Sequence, residues 1–397
     1  MTIKIAHFAD THLGYKQYGL IDRELDFYDA FNNVIDDIIE KDVDYVIHCG
    51  DLFEQPKPPI KALLVAQEGF LKLMKNNITV IVIAGNHDKL QRKATSIPQE
   101  LYENENFHIL TIQEPTLRLS DELIVSGLPY IRKDHEDVVK GLLKDIYEDV
   151  KDYKHKILML HGGVSKYFDF NPEFELDTIP DNFDYYAMGH IHQRIIEKDF
   201  KGGILSFPGS TEILNKGEIS EYDTKGKGYN LLTIDENIEV EYVNVELERK
   251  FIDKQISYPK LEEKLDELEE HIKNDILTKS DKKPVLLLTI KDGNFDRGDV
   301  SRIIKEKLDN LALTIRTSYQ PTEIDDEGRP IEKPFLKPEE LINEKLSEKY
   351  QNKDVGQLGV DLYRSLSRHD LEETYNISET FYNKKFKKAT GEDNDNQ

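Results

Sequence analysis

The sequence predicts an α/β fold, with parallel strands joined by crossover helices, and three observations carry that reading. Short apolar runs alternate with stretches whose apolar residues recur at helical spacing. Five of those runs end in turns bearing Asp, His or Asn, where the carboxyl ends of strands border a crevice. With 38% hydrophobic and 9% aromatic residues in 397, the chain holds core material for two or three domains.

Ile3 to Ala9 is the first strand; it runs into Asp10 and His12, and a polar, aromatic loop from Gly14 to Gly19 follows. Asp22 opens an amphipathic helix to about Glu40, with Phe27, Ala30, Phe31, Val34, Ile35, Ile38 and Ile39 on one stripe. Val43 to Cys49 is the second strand and ends at Gly50-Asp51. Pro56, Pro58 and Pro59 break the chain before a helix carrying Ile60, Leu63, Leu64, Phe70, Leu71 and Met74. Ile81 to Ala84 is a buried strand, and Gly85 allows a sharp turn into Asn86-His87-Asp88. Lys89 to Lys93 is the densest basic stretch nearby, readable as a solvated loop or as a phosphate contact.

Further strands are expected at Phe107 to Ile112 and Leu117 to Leu128, then a polar helix around Asp134 to Asp152. Ile157 to Leu160 runs into His161-Gly162-Gly163, and the Phe- and Tyr-rich loop to Asp184 either covers a cleft or packs on the body. Tyr185 to Met188 runs into Gly189-His190-Ile191-His192, and Phe207-Pro208-Gly209-Ser210 ends another strand. Tyr229 to Val245 reads as a hairpin that closes a first domain, residues 1–247. Residues 248–320 alternate strand, helix, strand, helix and strand without a ligand-like cluster, so a separate α/β unit with a guiding or structural role is expected. An acidic, proline-bearing linker spans 321–334. Two short helical patterns occupy 335–388, too small for a core of their own, and 389–397 reads as a disordered tail.

The net charge of −24 argues against loose phosphate-backbone binding over the whole surface and confines any nucleic-acid contact to local basic loops. A single cysteine excludes an internal disulfide framework and fits a reducing cytoplasm. On its buried strand, Cys49 is expected to be a small core residue and not a thiolate ligand. The opening residues form a strand and not a signal peptide, and no apolar run approaches membrane-spanning length.

The strand ends deliver Asp10, His12, Asp51, Asn86, His161, His190 and His192 to one sheet edge. The alternate spacing in Asp10-Thr11-His12 and His190-Ile191-His192 turns both members of each pair the same way if the backbone stays extended. Imidazoles, carboxylates and a carboxamide without thiolates suit Mn, Fe or Zn better than Mg or Ca. These ligands are too many for one ion and divide between two, roughly 4 Å apart, the arrangement that serves phosphate-ester cleavage. Asp51 is the natural bridge, since a carboxylate can offer one oxygen to each ion. His87, beside Asn86, either faces the substrate as a proton donor or serves as a further ligand, and Asp88 orients His87 or fixes the turn.

This set of motifs resembles the calcineurin-like metallophosphoesterase superfamily. Asp10-Thr11-His12-Leu13-Gly14, Gly50-Asp51-Leu52-Phe53, Gly85-Asn86-His87-Asp88, Gly189-His190-Ile191-His192 and Phe207-Pro208-Gly209-Ser210 together are similar to the double-strand-break repair nucleases called SbcD in bacteria. That resemblance implies a four-layer α/β architecture, a β-sandwich flanked by helices, with a small α/β capping domain and a C-terminal helical docking segment. It also implies two Mn ions per chain. Asp10, His12, Asp51 and His192 would hold one and Asp51, Asn86, His161 and His190 the other, with His87 catalytic. The activities implied are 3′-to-5′ exonuclease on duplex ends and endonuclease on single strands and hairpins. The partners implied are DNA, a coiled-coil SMC-like ABC ATPase and a second copy of the chain, the last through the helix from Ile60 and the segment Ser96 to Tyr102. A cytoplasmic, nucleoid-associated location follows from the same resemblance.

Tyr15, Lys16, Arg23, Lys57, Lys89, Arg92 and Lys93 are the expected DNA contacts, and Leu341, Leu346, Leu371, Tyr375, Phe381 and Phe386 the expected ATPase contacts. One position departs from the resemblance. Glu54 stands where many members carry a second histidine, and a carboxylate there repels a DNA phosphate unless it is protonated or paired with a metal. Two rival readings remain: a phosphatase or cyclic-nucleotide phosphodiesterase, which needs neither cap nor docking helices, and a DNA-end tether with incidental nuclease activity.

Overall fold

A computed structural model of the chain describes residues 2–89, 96–168, 172–322, 337–367 and 371–385, the side chains of 371 and 372 aside. It divides into two compact units, Met1–Pro321 and Thr322–Gln397.

In the first unit, β1 (Ile3–Phe8), α1 (Ile21–Glu40), β2 (Tyr45–Cys49), α2 (Ile60–Lys75), β3 (Thr79–Ile83) and β4 (Phe107–Ile109) alternate as expected, and the four strands pair in parallel. A second set follows: β5 (Thr116–Arg118), β6 (Leu123–Gly127), α3 (Glu136–Val150), β7 (His155–His161), β8 (Tyr185–Gly189), β9 (Ile195–Phe200) and β10 (Gly203–Phe207). The short α4 (Ile219–Lys225) leads to the hairpin β11 (Lys227–Ile234) and β12 (Ile238–Val245), which returns antiparallel beside β1. One sheet therefore runs β12-β11-β1-β2-β3-β4 and the other β5-β6-β7-β8-β10-β9. Val46, Val80 and Val82 meet Phe31, Ile35, Val65 and Phe70 of α1 and α2 on one outer face. Leu158, Leu160 and Tyr186 meet Val139, Leu143 and Ile146 of α3 on the other. Ile47, Ile81, Ile83, Ile157, Met159 and Ala187 fill the space between the sheets. The layers are helix, sheet, sheet, helix, the four that the resemblance implies.

The strand expected over Leu117 to Leu128 is a hairpin instead. Ser120 Oγ accepts from the backbone N–H groups of Glu122 and Leu123, and that local turn outcompetes a continuous strand. Cys49 is buried, as expected of a core residue.

After the hairpin, β13 (Phe251–Ser257), α5 (Leu261–His271), β14 (Val285–Lys291), α6 (Arg297–Leu308) and β15 (Thr314–Gln320) form a parallel three-stranded sheet with its own core of Ile256, Leu265, Leu286, Leu288, Ile290, Val300 and Ile304. Its other face meets the first domain through Val285 and Leu287, which pack with Ala30, Ile213 and Ile219.

Among its described residues the second unit holds three helices where two were expected: α7 (Pro338–Tyr350), α8 (Lys353–Ser367) and α9 (Leu371–Lys385). Leu346 is not without an intramolecular neighbour, contrary to expectation: α7 and α8 approach so closely that a Cβ on Gly359 would meet its side chain. Leu341 and Tyr375 are exposed, Phe381 is half-buried, and Phe386 lies outside the described residues. No helix among the described residues is long and apolar enough to cross a membrane.

Candidate metal centre

The polar residues gather at the carboxyl ends of β1, β2, β3, β7 and β8, from both sheets. Ligand atoms of Asp10, His12 and His192 lie within 4.8 Å of one another, and so do those of Asp51, His161 and His190. Asp51 Oδ2 stands between the groups, 3.3 Å from His161 Nε2 and 3.8 Å from His12 Nε2. Asn86 Oδ1 faces His161 Nε2 at 3.0 Å and His190 Nδ1 at 3.1 Å.

The backbone that achieves this is not extended. Asp10, His12, Asp51 and His190 have φ of 54°, 45°, 52° and 94°, conformations that cost non-glycine residues energy and cluster at functional sites. Asp10 and His12 still share one group, but past the left-handed turn at His190 the second pair divides, His190 joining one group and His192 the other. The expectation that this pair points one way therefore fails. Two glycines make the approach possible. A Cβ on Gly85 would lie 2.2 Å from Asp51 Oδ1, and one on Gly50 would lie 2.4 Å from His161 Nδ1.

Three of the four histidines are held from behind. His12 Nδ1 meets Glu54 Oε2 at 2.9 Å, His192 Nδ1 meets Glu218 Oε1 at 3.2 Å, and His161 Nδ1 meets the Cys49 carbonyl at 2.7 Å. Those partners only accept, so the Nδ1 atoms carry protons, and a bound cation would take the Nε2 lone pairs that face inward. The consequence is a crowd of acceptors. His12 Nε2 and His192 Nε2 lie 3.3 Å apart, and His161 Nε2 faces the oxygens of Asn86 and Asp51. Burial alone pulls the His161 imidazole down, yet Asp51 and Asp10 push it up to about 10. Burial would likewise raise Asp51, but His161, His87 and His12 hold it well below the usual carboxylate range. The arrangement calls for positive charge, and oxygen and imidazole donors in this set fit divalent cations.

His87 lies beside both groups. Its Nδ1 donates to the Glu54 carbonyl at 2.8 Å, which leaves Nε2 for other partners, and its backbone N–H donates to Asp51 Oδ1 at 2.9 Å. Burial lowers its basicity, but Asp51 and Glu54 more than offset this and raise it above the ordinary imidazole value. Asp88 fixes the turn: its carboxylate accepts from the N–H groups of Gly85, Leu52 and Phe53.

Of the expected DNA contacts, Lys16 and Lys57 are exposed, Tyr15 and Lys89 are half-buried, and Arg92 and Lys93 lie outside the described residues. Arg23 is a correction. It is fully buried, and its guanidinium is taken by Asp26, Glu212, Gln17 and the Ile213 carbonyl. The helical stripe on which it lies faces inward at that point. Sequence reasoning missed Glu218 and Glu173 (Oε2 3.8 Å from His190 Nε2), because a carboxylate that reaches a histidine from a distant loop leaves no local pattern.

Fold and site together define a metal-dependent phosphodiesterase, and residues 3–194 match the family described as calcineurin-like phosphoesterase. The similarity to whole proteins extends further. The DNA double-strand break repair protein Mre11 of Methanocaldococcus jannaschii is 40% identical over 251 residues, 62% of this chain and 68% of the relative. That of Methanococcus maripaludis is 33% identical over 389 residues, 96% of this chain and 99% of the relative. The Sulfolobus acidocaldarius protein of the same name is 32% identical over 343 residues, 80% and 87% of the two chains. This chain belongs to the Mre11 family of DNA double-strand break repair proteins.

Proposed function

We propose that this protein is a manganese-dependent DNA nuclease that processes double-strand breaks, with 3′-to-5′ exonuclease action on duplex ends and endonuclease action on single strands and hairpins. One observation carries the reading: two groups of inward-facing donors share Asp51, with His87 alongside. Asp10, His12, Asp51 and His192 hold one ion, and Asp51, Asn86, His161 and His190 the other. Two bound cations supply charge to hold a phosphodiester and acidity to activate water. The chain's part is to set the donors by strained turns, to fix the imidazoles of His12, His161 and His192 from behind, and to place a protonated His87 Nε2 near the leaving oxygen.

Glu54 bears on this differently from the expectation drawn from sequence. Its carboxylate is engaged by His12, and burial, which alone would raise it, is outweighed by His12 and His87 so that it stays ionised. Engaged in this way, it supports a ligand, while its ionised side chain keeps 20% of its surface exposed.

Exposed Ile60, Leu64 and Leu71 on α2, with exposed Leu101 in the expected segment Ser96 to Tyr102, favour a homodimer. For an SMC-like ABC ATPase partner, exposed Leu341 and Tyr375 are the supporting residues, with Leu371, Phe381 and Phe386 completing the proposed segment; Leu346, packed against α8, is left out of it.

The test is cleavage of end-labelled duplex and hairpin DNA with added Mn²⁺, beside p-nitrophenyl phosphate and a cyclic nucleotide. His87→Ser is expected to lose about 10²–10⁴-fold in rate with metal content retained. The pair His190→Ala and His192→Ala is expected to lose metal as well. Hydrolysis of the small esters with untouched DNA would instead establish a phosphatase.

A further inference from the structure

Lys227, the first residue of β11, is almost wholly buried, and so is its partner Glu218. Removing such a pair from water costs about as much as its attraction returns, so stability alone does not account for it. What the pair does is hold one loop residue from three sides. Lys227 Nζ donates to Glu218 Oε2 at 2.6 Å, to Ser210 Oγ, and to the His192 carbonyl at 3.1 Å. The Ser210 backbone N–H donates to that same carbonyl at 3.2 Å. Glu218 Oε1 is left to accept from His192 Nδ1, and Asn215 Nδ2 donates to it at 2.6 Å.

The run Phe207-Pro208-Gly209-Ser210, which the chemistry of the site leaves without a role, belongs to this grip. Gly209 has φ of 75°, and a Cβ there would lie 2.7 Å from the His192 carbonyl oxygen, so glycine permits the approach. His192 lies beyond the end of β8, where no sheet pairing fixes its backbone. Its counterpart His12 is oriented by Glu54, whose side chain is 20% exposed, whereas Glu218 is 2% exposed. The His192 side is thus the more rigidly built.

We propose that Lys227 is a positioning residue: through Glu218 and Ser210 it fixes the ring orientation and tautomer of His192, and so sets the metal affinity of the Asp10, His12 and His192 group selectively. The inference rests on reading those three residues as ligands. Full-length Lys227→Met and Ser210→Ala proteins are compared with wild type by calorimetric Mn²⁺ titration and metal content, and by the Mn²⁺ dependence of DNA cleavage. For Lys227→Met, one site is expected to weaken about 10–100-fold while the other stays within about twofold. Its cleavage rate should return towards wild type at saturating Mn²⁺. Ser210→Ala removes one support without unpairing a buried charge, and the same site should weaken several-fold; it decides the matter if Lys227→Met does not fold. Equal affinities in variants and wild type, or equal weakening of both sites, would overturn the positioning role. Wild-type protein that takes up fewer than two ions would overturn the metal reading beneath it.

Discussion

Asp26→Asn tests what joins the small α/β unit to the first domain. Asp26 is 3% exposed and accepts from Arg23 on its own helix, from Arg249 in the connecting segment and from Lys282 just before β14. Asparagine keeps the volume, so no cavity term enters, but it leaves two buried guanidinium groups short of a charge. Removing one partner of a buried ion pair costs about 3–5 kcal/mol. Arg23 retains Glu212, and Lys282 retains Asp29 and Glu248. Arg249 is worse placed, with the Lys283 carbonyl and Asp22 at 4.0 Å, so the loss should fall near the lower bound, about 3 kcal/mol. At about 2–4 °C per kcal/mol this is about 6–12 °C in Tm. Urea denaturation and thermal unfolding measure the loss, and limited proteolysis across Glu246 to Lys250 shows whether the connection opens before the domains unfold. A loss below about 1 kcal/mol, with protease resistance unchanged, would refute the reasoning and show that desolvation cancels the network's attraction.

Gly85→Ala should abolish metal uptake at Asp51 and with it DNA cleavage, because the added methyl displaces the shared carboxylate; calorimetric Mn²⁺ titration checks it. Glu54→Gln should weaken Mn²⁺ binding about 10–100-fold by loosening the Nδ1 support of His12, with little change in Tm. Neutralising Lys89, Arg92 and Lys93 together should weaken DNA binding and flatten its salt slope by up to about 2.7, at about 0.9 per phosphate contact. An unchanged slope would remove all three from the interface, whereas Arg23→Met should leave the slope alone and lower stability instead.

The strands, the crossover helices and the residues at their carboxyl ends were legible because period-2 and period-3.6 patterns are written locally. So was the small α/β unit, whose strands and helices alternate within one stretch of chain. Three-dimensional closure was not. His190 to His192 shows why: alternate spacing implies a shared direction, which Asp10 and His12 keep, but the turn at His190, left-handed like those at Asp10 and His12, sends His190 and His192 to different groups. Those turns are tolerated because the opposed sheets, packed through Ile47, Met159 and Ala187, bring the strand ends together. Arg23 marks the same limit, since a cation at the start of a helix looks solvated until acids from elsewhere enclose it.

By itself, then, the sequence determined which chemical groups the strand ends carry and that they suit a pair of divalent cations, since residue type and strand periodicity are local properties. Only the tertiary structure decided which nitrogen each imidazole turns inward, how near Asp51 Oδ2 stands to His12 and His161, and how Glu54, Glu218 and Lys227 support His12 and His192. Those relations join residues up to 180 positions apart, as between His12 and His192, and depend on packing two sheets into register, which no local pattern encodes.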